Sequence, residues 1–90
     1  MFEFDSGKSA ANLTKHGSDF EAAQELWLEE RFAEGPVQWP DEERWMRVAM
    51  RDGRLWSAIF TVRESRIRLI SVRRSRPKEE LQYGRQTNYG

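Results

Sequence analysis

Arginine and lysine are concentrated in one short stretch of the sequence, SVRRSRPKEELQY at residues 71–83. Within six positions it contains four cations: Arg73, Arg74, Arg76 and Lys78. A guanidinium group can bind a phosphate through two parallel hydrogen bonds and can stack on a base, so such a cluster is typical of a site for a polyanion. The same side chains can also be plain solvated surface or form salt bridges with the chain's own acids. The stretch therefore predicts phosphate binding and leaves a structural role open.

The chain has a single histidine, His16, which follows Lys15. The unperturbed pKa of histidine lies near neutrality, so its imidazole can act as a general acid or base. His16 is also expected in the last turn of a helix, where a histidine often only satisfies terminal carbonyl groups. Lys15 is either a phosphate contact or a solvated side chain. The sequence alone does not decide between the chemical and the structural role of either residue.

Composition narrows the possible functions. The length of 90 residues predicts one small domain over 1–90. The absence of cysteine excludes disulfides and thiolate metal sites, and a single histidine argues against zinc, so no cofactor is implied. The total charge is zero, but Met1–Trp45 has four cations and eleven acids, and Met46–Gly90 has eleven cations and four acids. Halves of net charge −7 and +7 hint at a polyanionic partner, although halves that merely attract each other would look the same.

Hydrophobic patterning gives no indication of a membrane. No apolar run approaches the roughly 20 residues that cross a bilayer, and no basic-then-apolar leader is present. The sequence therefore predicts a cytoplasmic protein.

The first segments predict a short strand and two helices, which would position the histidine. Phe2–Phe4 alternates as a strand does. Asp5 is a candidate N-cap for a helix through His16, and Gly17 is a candidate left-handed residue at its end. The residues Ser-Asp-Phe-Glu that follow fit a capping box with Ser18 as the cap. A second helix should therefore form a tight helical hairpin with the first.

The remaining segments predict a sheet and a final helix. Residues 29–43 predict an irregular connection with one short edge strand, because they contain a glycine and two prolines. Three strands are expected at 45–51, 54–62 and 66–73, with the second at the centre of the sheet and a type I′ turn at Asp52-Gly53. The last helix should begin near Pro77 and stop at Gly84. The order β-α-α-β-β-β-α predicts an α+β fold, a small antiparallel sheet packed with helices.

Alternation along the strands predicts which face each arginine occupies. If the register allows it, Arg47, Arg51, Arg66 and Arg68 share one open face. Strict alternation places Arg73 on the face opposite Arg68. A basic face with aromatic side chains is one way to hold single-stranded RNA, and an ordinary solvated face is the alternative.

Several longer motifs resemble those of one family. The segments FEFD…KSAANLTKHGSDFEAA, ERWMRV…GRLWSAIFT and RIRLISVRRSRPKEELQY are similar to the BrnT family of bacterial toxins from type II toxin–antitoxin modules. The resemblance extends from Phe2 to about Tyr83 and is weakest at 31–40. It implies a RelE-like fold and a metal-independent ribonuclease that arrests translation. It also implies a BrnA-type ribbon-helix-helix antitoxin as partner, through which the complex binds operator DNA.

The resemblance also implies which residues are functional. Such an enzyme needs a base for the ribose 2′-hydroxyl, fixed cations around the phosphorus and an acid for the departing 5′-oxygen. Lys15 and His16 match the family's K-H-G motif, Arg44 its E-R segment and Arg73 its I-S-x-R segment, so these four are expected to be catalytic. Arg73 is the expected stabiliser of the transition state. Five further cations are expected to bind RNA: Arg54, Arg68, Arg74, Arg76 and Lys78.

Two other classes of function would use the same residues. A non-catalytic nucleic-acid-binding module needs the basic face without acid–base groups, and an interaction protein needs only the two charged halves for an antitoxin. Glu79 and Tyr83 match family positions four apart on the last helix, but they can equally cap or pack. The nuclease is favoured because Lys15, His16 and Arg73 stand in a recognisable frame.

Overall fold

A computed structural model of the chain describes residues 1–87 and has the predicted α+β architecture, a five-stranded sheet with helices on both faces. Among these residues, no helix is long and apolar enough to cross a membrane. The elements are β1 (Phe2–Glu3), α1 (Ser6–His16), α2 (Phe20–Ala23) with a 3₁₀ turn after it (Gln24–Trp27), β2 (Phe32–Val37), β3 (Arg44–Arg51), β4 (Arg54–Arg63), β5 (Arg66–Arg74) and α3 (Pro77–Thr87).

The sheet has the order β1-β5-β4-β3-β2, which confirms that β4 is the central strand. Its pairings are antiparallel except for β1, which runs parallel to β5. The β3–β4 hairpin turns at Asp52 and Gly53, whose φ angles of 53° and 75° are both positive, as a type I′ turn requires. The predicted edge strand is β2, which pairs only with β3.

The two N-terminal helices form the predicted hairpin, with one correction. Asp5 caps α1, and Gly17 ends it with a φ of 83°, as expected. The cap of α2 is Asp19 rather than Ser18: the Asp19 carboxylate accepts from the Ala22 amide at 2.8 Å. The Ser18 hydroxyl instead donates to the Asp19 carbonyl at 3.0 Å. Serine and aspartate are about equally good caps, so a serine–aspartate pair does not show which of the two residues begins the helix.

The last helix continues past Gly84 to Thr87, so the predicted stop was wrong. A glycine inside a helix costs only about 1 kcal/mol relative to alanine, and no proline follows to end the helix. The final turn is also held in place, because Gln86 accepts a hydrogen bond from the Glu34 amide of β2 at 3.1 Å. Through this contact α3 lies across β2 and β3.

The core lies on the face of the sheet that packs against α1 and α2, called the core face below. Its buried members come from α2, the 3₁₀ turn, β3, β4 and β5: Phe20, Ala23, Leu26, Ala49, Trp56, Ala58, Phe60, Leu69 and Val72. Trp27 joins β1 to the sheet centre through edge-to-face contacts, with ring centroids 5.2 Å from Phe2 and 5.1 Å from Phe60.

Asn12 attaches α1 to the outer edge of β5. Its side-chain amide donates to the Val72 carbonyl at 2.7 Å, and its oxygen accepts from the Val72 amide at 3.3 Å. The same amide nitrogen donates to the Ser18 carbonyl at 2.7 Å. The buried Asn12 side chain thus replaces a neighbouring strand where β1 has already ended.

Candidate nucleic-acid interface

A β-bulge decides which arginines of β5 face the same way. Arg73 pairs with Ser57 and Arg68 with Thr61, but the register shifts by one residue between these pairs. The extra residue in β5 reverses the alternation of side chains. Leu69 and Val72 therefore both enter the core, while Arg68 and Arg73 project to the opposite face together. The prediction that Arg68 and Arg73 lie on opposite faces was wrong.

We call this opposite side the arginine face, because five arginines project from its three inner strands. Residues that pair directly across neighbouring strands project to the same face, so the register of β3, β4 and β5 shows on which face each arginine lies. Helix α3 covers the β2–β3 side of this face, and the β4–β5 side is open. Its arginines are Arg44, Arg63, Arg66, Arg68 and Arg73.

Arg47 and Arg51 do not belong to the arginine face, which corrects the predicted grouping of Arg47, Arg51, Arg66 and Arg68. The Arg47 guanidinium is buried on the core face, where it donates to Glu34 at 2.8 Å and to the Leu26 carbonyl at 3.2 Å. Arg51 lies over the Trp56 ring, 4.3 Å from its centroid. These two arginines have structural roles.

Arg73 is fixed by the first turn of α3. Its two terminal nitrogens donate to the two Glu79 carboxylate oxygens at 2.9 and 2.8 Å. The Ser57 hydroxyl donates to the same carboxylate at 2.7 Å, and the Arg76 amide does so at 3.0 Å. Ser57 also shares a hydrogen bond of 2.8 Å with Ser75. Residues of β4, β5 and the first turn of α3 therefore hold the Arg73 guanidinium in one orientation.

The Arg73–Glu79 pair leaves part of the guanidinium available. Partial burial raises the pKa of Glu79, but the hydrogen bonds from Arg73, the Arg76 amide and Ser57 outweigh it and lower the pKa to about 2. Glu79 is therefore a fixed anion at neutral pH. Within the described residues, Arg73 uses three of its five N–H groups, two on Glu79 and one on the Arg74 carbonyl. The remaining N–H groups can bind an external anion.

The ends of α1 and β5 lie side by side. Asp5 and Lys8, at the start of α1, share a small cavity with Arg68 near the start of β5. Asn12 then contacts Val72 near the end of β5. The helix thus runs along the strand in the same direction. Its last residues, Lys15 and His16, continue about 6 Å beyond Asn12, toward the level of Arg73 and Arg74.

Arg44 lies at the other end of the arginine face. It lies beside Thr61 of β4, because the next residue, Trp45, pairs with Phe60. Thr61 is four residues from Ser57, which pairs with Arg73, so the backbones of Arg44 and Arg73 are about 13 Å apart along the strands. Arg44 donates to Glu42 at 2.9 Å, and its guanidinium carbon lies 4.0 Å from the Trp39 ring centroid. Arg44 and Arg73, two of the four residues predicted as catalytic, are therefore held by different acids at opposite ends of the arginine face.

The other predicted RNA-binding residues divide in the same way. Arg68 lies near Arg44 and approaches Glu3 at 3.7 Å. The remaining four are exposed at the end of the sheet where β5 finishes and the β3–β4 hairpin turns: Arg54, Arg74, Arg76 and Lys78.

The arginines of this face lie in a row along the sheet and do not form a ring around one point. All five arginines of the face lie within 3.9 Å of an acid: Arg44 and Arg63 approach Glu42, Arg66 and Arg68 approach Glu3, and Arg73 binds Glu79. Of these pairs only the last is bidentate, so the paired guanidiniums keep unused N–H groups. A row of partly used arginines can hold successive phosphates of an extended strand.

Sequence reasoning missed two residues of this surface. Ser57 is fully buried and is the hydroxyl that joins β4 to Glu79. A lone serine in the otherwise apolar run of β4 was the available signal. Arg63 lies on the arginine face at the end of β4 with a 61% exposed side chain, and it was read only as part of a turn.

The chain matches one family model, described as "Ribonuclease toxin, BrnT, of type II toxin-antitoxin system", over residues 4–79. No curated protein matches the chain. The matched range includes the whole arginine face, Lys15, His16 and Glu79.

Proposed function

The chain belongs to the BrnT family of ribonuclease toxins of type II toxin–antitoxin systems, and from this premise we propose that it cleaves RNA without a metal ion, by attack of a ribose 2′-hydroxyl, and so inhibits translation in the cytoplasm. The attacking oxygen forms a bond to phosphorus while the bond from phosphorus to the 5′-oxygen breaks. The products are a 2′,3′-cyclic phosphate and a free 5′-hydroxyl.

The orientation of Arg73 carries this proposal. Negative charge grows on the phosphoryl oxygens as the reaction proceeds, and a donor fixed beforehand stabilises it without reorganising. The contacts from Glu79 and Ser57 hold Arg73 in this way, with N–H groups to spare. Arg73 is therefore assigned the stabilisation of the transition state.

His16 and Lys15 are assigned to the proton transfer and to the phosphate. Helix α1 follows the edge of β5 as far as Val72 and ends near the level of Arg73, so both side chains are assigned to the RNA where the strand crosses this edge of the sheet. Neutral His16 accepts the 2′-hydroxyl proton and returns it to the 5′-oxygen. Lys15 contacts the phosphate as a point charge.

Arg44 and Arg68 are assigned to the backbone of the same RNA at a distance from the cut. About 13 Å separates their level from that of Arg73, a spacing that suits the next nucleotides of an extended strand. Arg54, Arg74, Arg76 and Lys78 extend this contact beyond Arg73.

The partner of the proposed toxin is a protein antitoxin, as in every module of this type. We propose the BrnA type, a ribbon-helix-helix protein that binds operator DNA for the complex. A neighbouring reading frame with that pattern, whose product co-purifies with this chain, would support the assignment.

The nuclease is tested with a labelled single-stranded RNA in the presence of EDTA. Wild-type protein should yield a 2′,3′-cyclic phosphate, and a 2′-deoxy sugar at the cut should block cleavage. Arg73→Ala should cleave about 10²–10³-fold more slowly, as expected for loss of a fixed charge-stabilising donor. Arg85→Ala is the matched control, because Arg85 is an exposed arginine of α3 outside the arginine face.

Two results would contradict the proposal. Cleavage that needs an added divalent ion would refute the metal-independent mechanism. RNA binding without cleavage under every condition, with Arg73→Ala and Arg85→Ala alike, would leave a non-catalytic binding module. Inhibition of translation is measured separately, by amino-acid incorporation after induction of the chain in bacteria.

A further inference from the structure

A broad surface cavity lies beside Arg44, at the end of the arginine face far from Arg73. Its volume is about 730 Å³, a size typical of sites for small ligands. It is lined by two tryptophans, two prolines and several polar side chains: Pro36, Val37, Gln38, Trp39, Pro40, Glu42, Glu43, Arg44 and Trp45. Nothing in the proposed cleavage step uses this cavity.

Trp39 offers the cavity a flat ring. Its side chain remains 51% exposed, which is unusual for so large an apolar surface. Arg44 stacks on the ring at 4.0 Å, and Glu42 fixes that arginine through a hydrogen bond of 2.9 Å. A rigid tryptophan–arginine stack with an open side is a platform for another flat ring, and unpaired nucleic-acid bases bind proteins in this way.

The carboxylates restrict which base can enter. Ionised carboxylates only accept hydrogen bonds, so the ligand must present N–H donors and must keep its own negative charge outside. Glu42 is paired with Arg44 and lies 3.9 Å from Arg63, whereas Glu43 has no ion pair among residues 1–87. Guanine has two adjacent N–H donors on its Watson–Crick edge, the pattern that a carboxylate accepts through both oxygens. Uracil, cytosine and adenine each place an acceptor beside the donor.

The cavity continues into the arginine face, where phosphates can lie. A second depression shares Glu42 and Arg44 with it and extends to Lys8, Arg63 and Arg68. Arg63 is 61% exposed, and its ion pair with Glu42 spans 3.9 Å. Such long surface pairs contribute little, so the guanidinium can turn to a phosphate at small cost. A base in the cavity would thus have its backbone on cations.

We propose that the cavity beside Trp39 binds an unpaired guanine base of the RNA substrate, stacked on Trp39 and read by Glu43, several nucleotides from the cut. This inference rests on the proposed ribonuclease function, because it identifies a preferred base within that enzyme's substrate. It also explains why Arg44 lies at the opposite end of the arginine face from Arg73: it belongs to a specificity site.

The test measures binding and cleavage separately. Fully 2′-O-methylated hexanucleotides, either all uridine or with one guanosine, cannot be cut by 2′-oxygen attack, and their affinities are measured by fluorescence anisotropy. The guanosine should tighten binding to the wild-type chain. Trp39→Ala should weaken that binding about 5- to 100-fold, as expected for one lost base–aromatic stack, and Trp39→Phe should restore most of it. Leu81→Ala, another exposed apolar residue, is the control.

Glu43→Gln tests the reading of the base. It should abolish the preference for guanosine without weakening the binding of the all-uridine oligonucleotide, and Glu29→Gln, an exposed carboxylate elsewhere, should leave the preference intact. Equal binding of both oligonucleotides by the wild type would overturn the guanine site. So would a guanosine preference that survives both Trp39→Ala and Glu43→Gln, or an effect of Trp39→Ala on antitoxin binding alone.

Cleavage distinguishes this failure from that of the proposed function. If natural RNA is cut in an Arg73-dependent manner while the oligonucleotide experiments show no guanosine preference, only the guanine site is refuted. If the chain neither cuts nor binds RNA, the proposed function fails and the guanine site fails with it.

Discussion

Replacing Glu79 with glutamine should remove a pH-dependent part of the protein's stability. The Glu79 carboxylate accepts four hydrogen bonds, from Arg73, Ser57 and the Arg76 amide, and its pKa is lowered from an ordinary 4.5 to about 2. A shift of that size corresponds to at most about 3.4 kcal/mol. Because solvent reaches the pair, we expect about 1–2 kcal/mol.

The sign of this pH dependence of the unfolding free energy follows from the lowered pKa of Glu79 in the folded state. Well above pH 4.5, as at pH 7, the carboxylate is ionised in both states, so the full contribution is present. As the pH falls toward 2, the unfolded state takes up the proton first, and the contribution disappears. The glutamine variant has no proton to exchange, so the difference in unfolding free energy between wild type and Glu79→Gln should shrink across this range.

Urea unfolding followed by tryptophan fluorescence at pH 7, 4 and 2 measures this difference. Glu80→Gln is the control, since Glu80 is the exposed neighbour of Glu79 on the same helix turn. The pKa of Asp5 is also lowered, mainly by the Lys8 amide, but its effect is common to all three proteins and cancels. A difference that stays constant from pH 7 to pH 2 would refute the assigned role of the Glu79 charge.

Three further predictions concern the elements that position the interface. Asn12→Ala should destabilise the fold by about 1–3 kcal/mol in urea unfolding, because it leaves the Val72 amide and carbonyl buried without partners; a cost under 0.5 kcal/mol would contradict this. His16→Ala should slow RNA cleavage while its melting temperature stays within a few degrees of wild type, whereas loss of stability with full activity would indicate a helix-end role. Arg68→Ala should raise KM with kcat nearly unchanged, and Arg73→Ala should lower kcat, which separates strand binding from transition-state stabilisation.

Local rules accounted for most of the fold. The Asp52-Gly53 turn, the Asp5 cap and the Gly17 helix end each depend on a few adjacent residues, and each was predicted from them. The central position of β4 was predicted because its residues are apolar on both faces. Errors of the same local kind were small: the cap of α2 moved by one residue to Asp19, since two good capping residues stand side by side.

Contacts between distant residues account for what the sequence did not show. Helix α3 passes Gly84 because its last turn bonds to β2, 52 residues earlier in the chain. Arg47 and Arg51 turn to the core face because aromatic rings from other elements lie there to cover them. The preference of Arg73 for Glu79 over an acid of the N-terminal half follows from where α3 begins, just after β5 ends. None of these partners is fixed by spacing along the sequence.

The bulge in β5 has the largest effect on the candidate interface. With a regular strand, Arg68 and Arg73 would face opposite sides, and one of them would enter a core that holds Leu69 and Val72. Burying an unpaired guanidinium there would cost several kcal/mol, while leaving the leucine or the valine in solvent would lose about 1.5–3 kcal/mol of burial. One extra residue removes both penalties, because it lets two hydrophobic residues three apart enter the core and two arginines five apart leave it. The bulge that stabilises the sheet thereby also aligns the arginines in a row. A row can bind successive phosphates of an RNA strand, which a single cluster cannot.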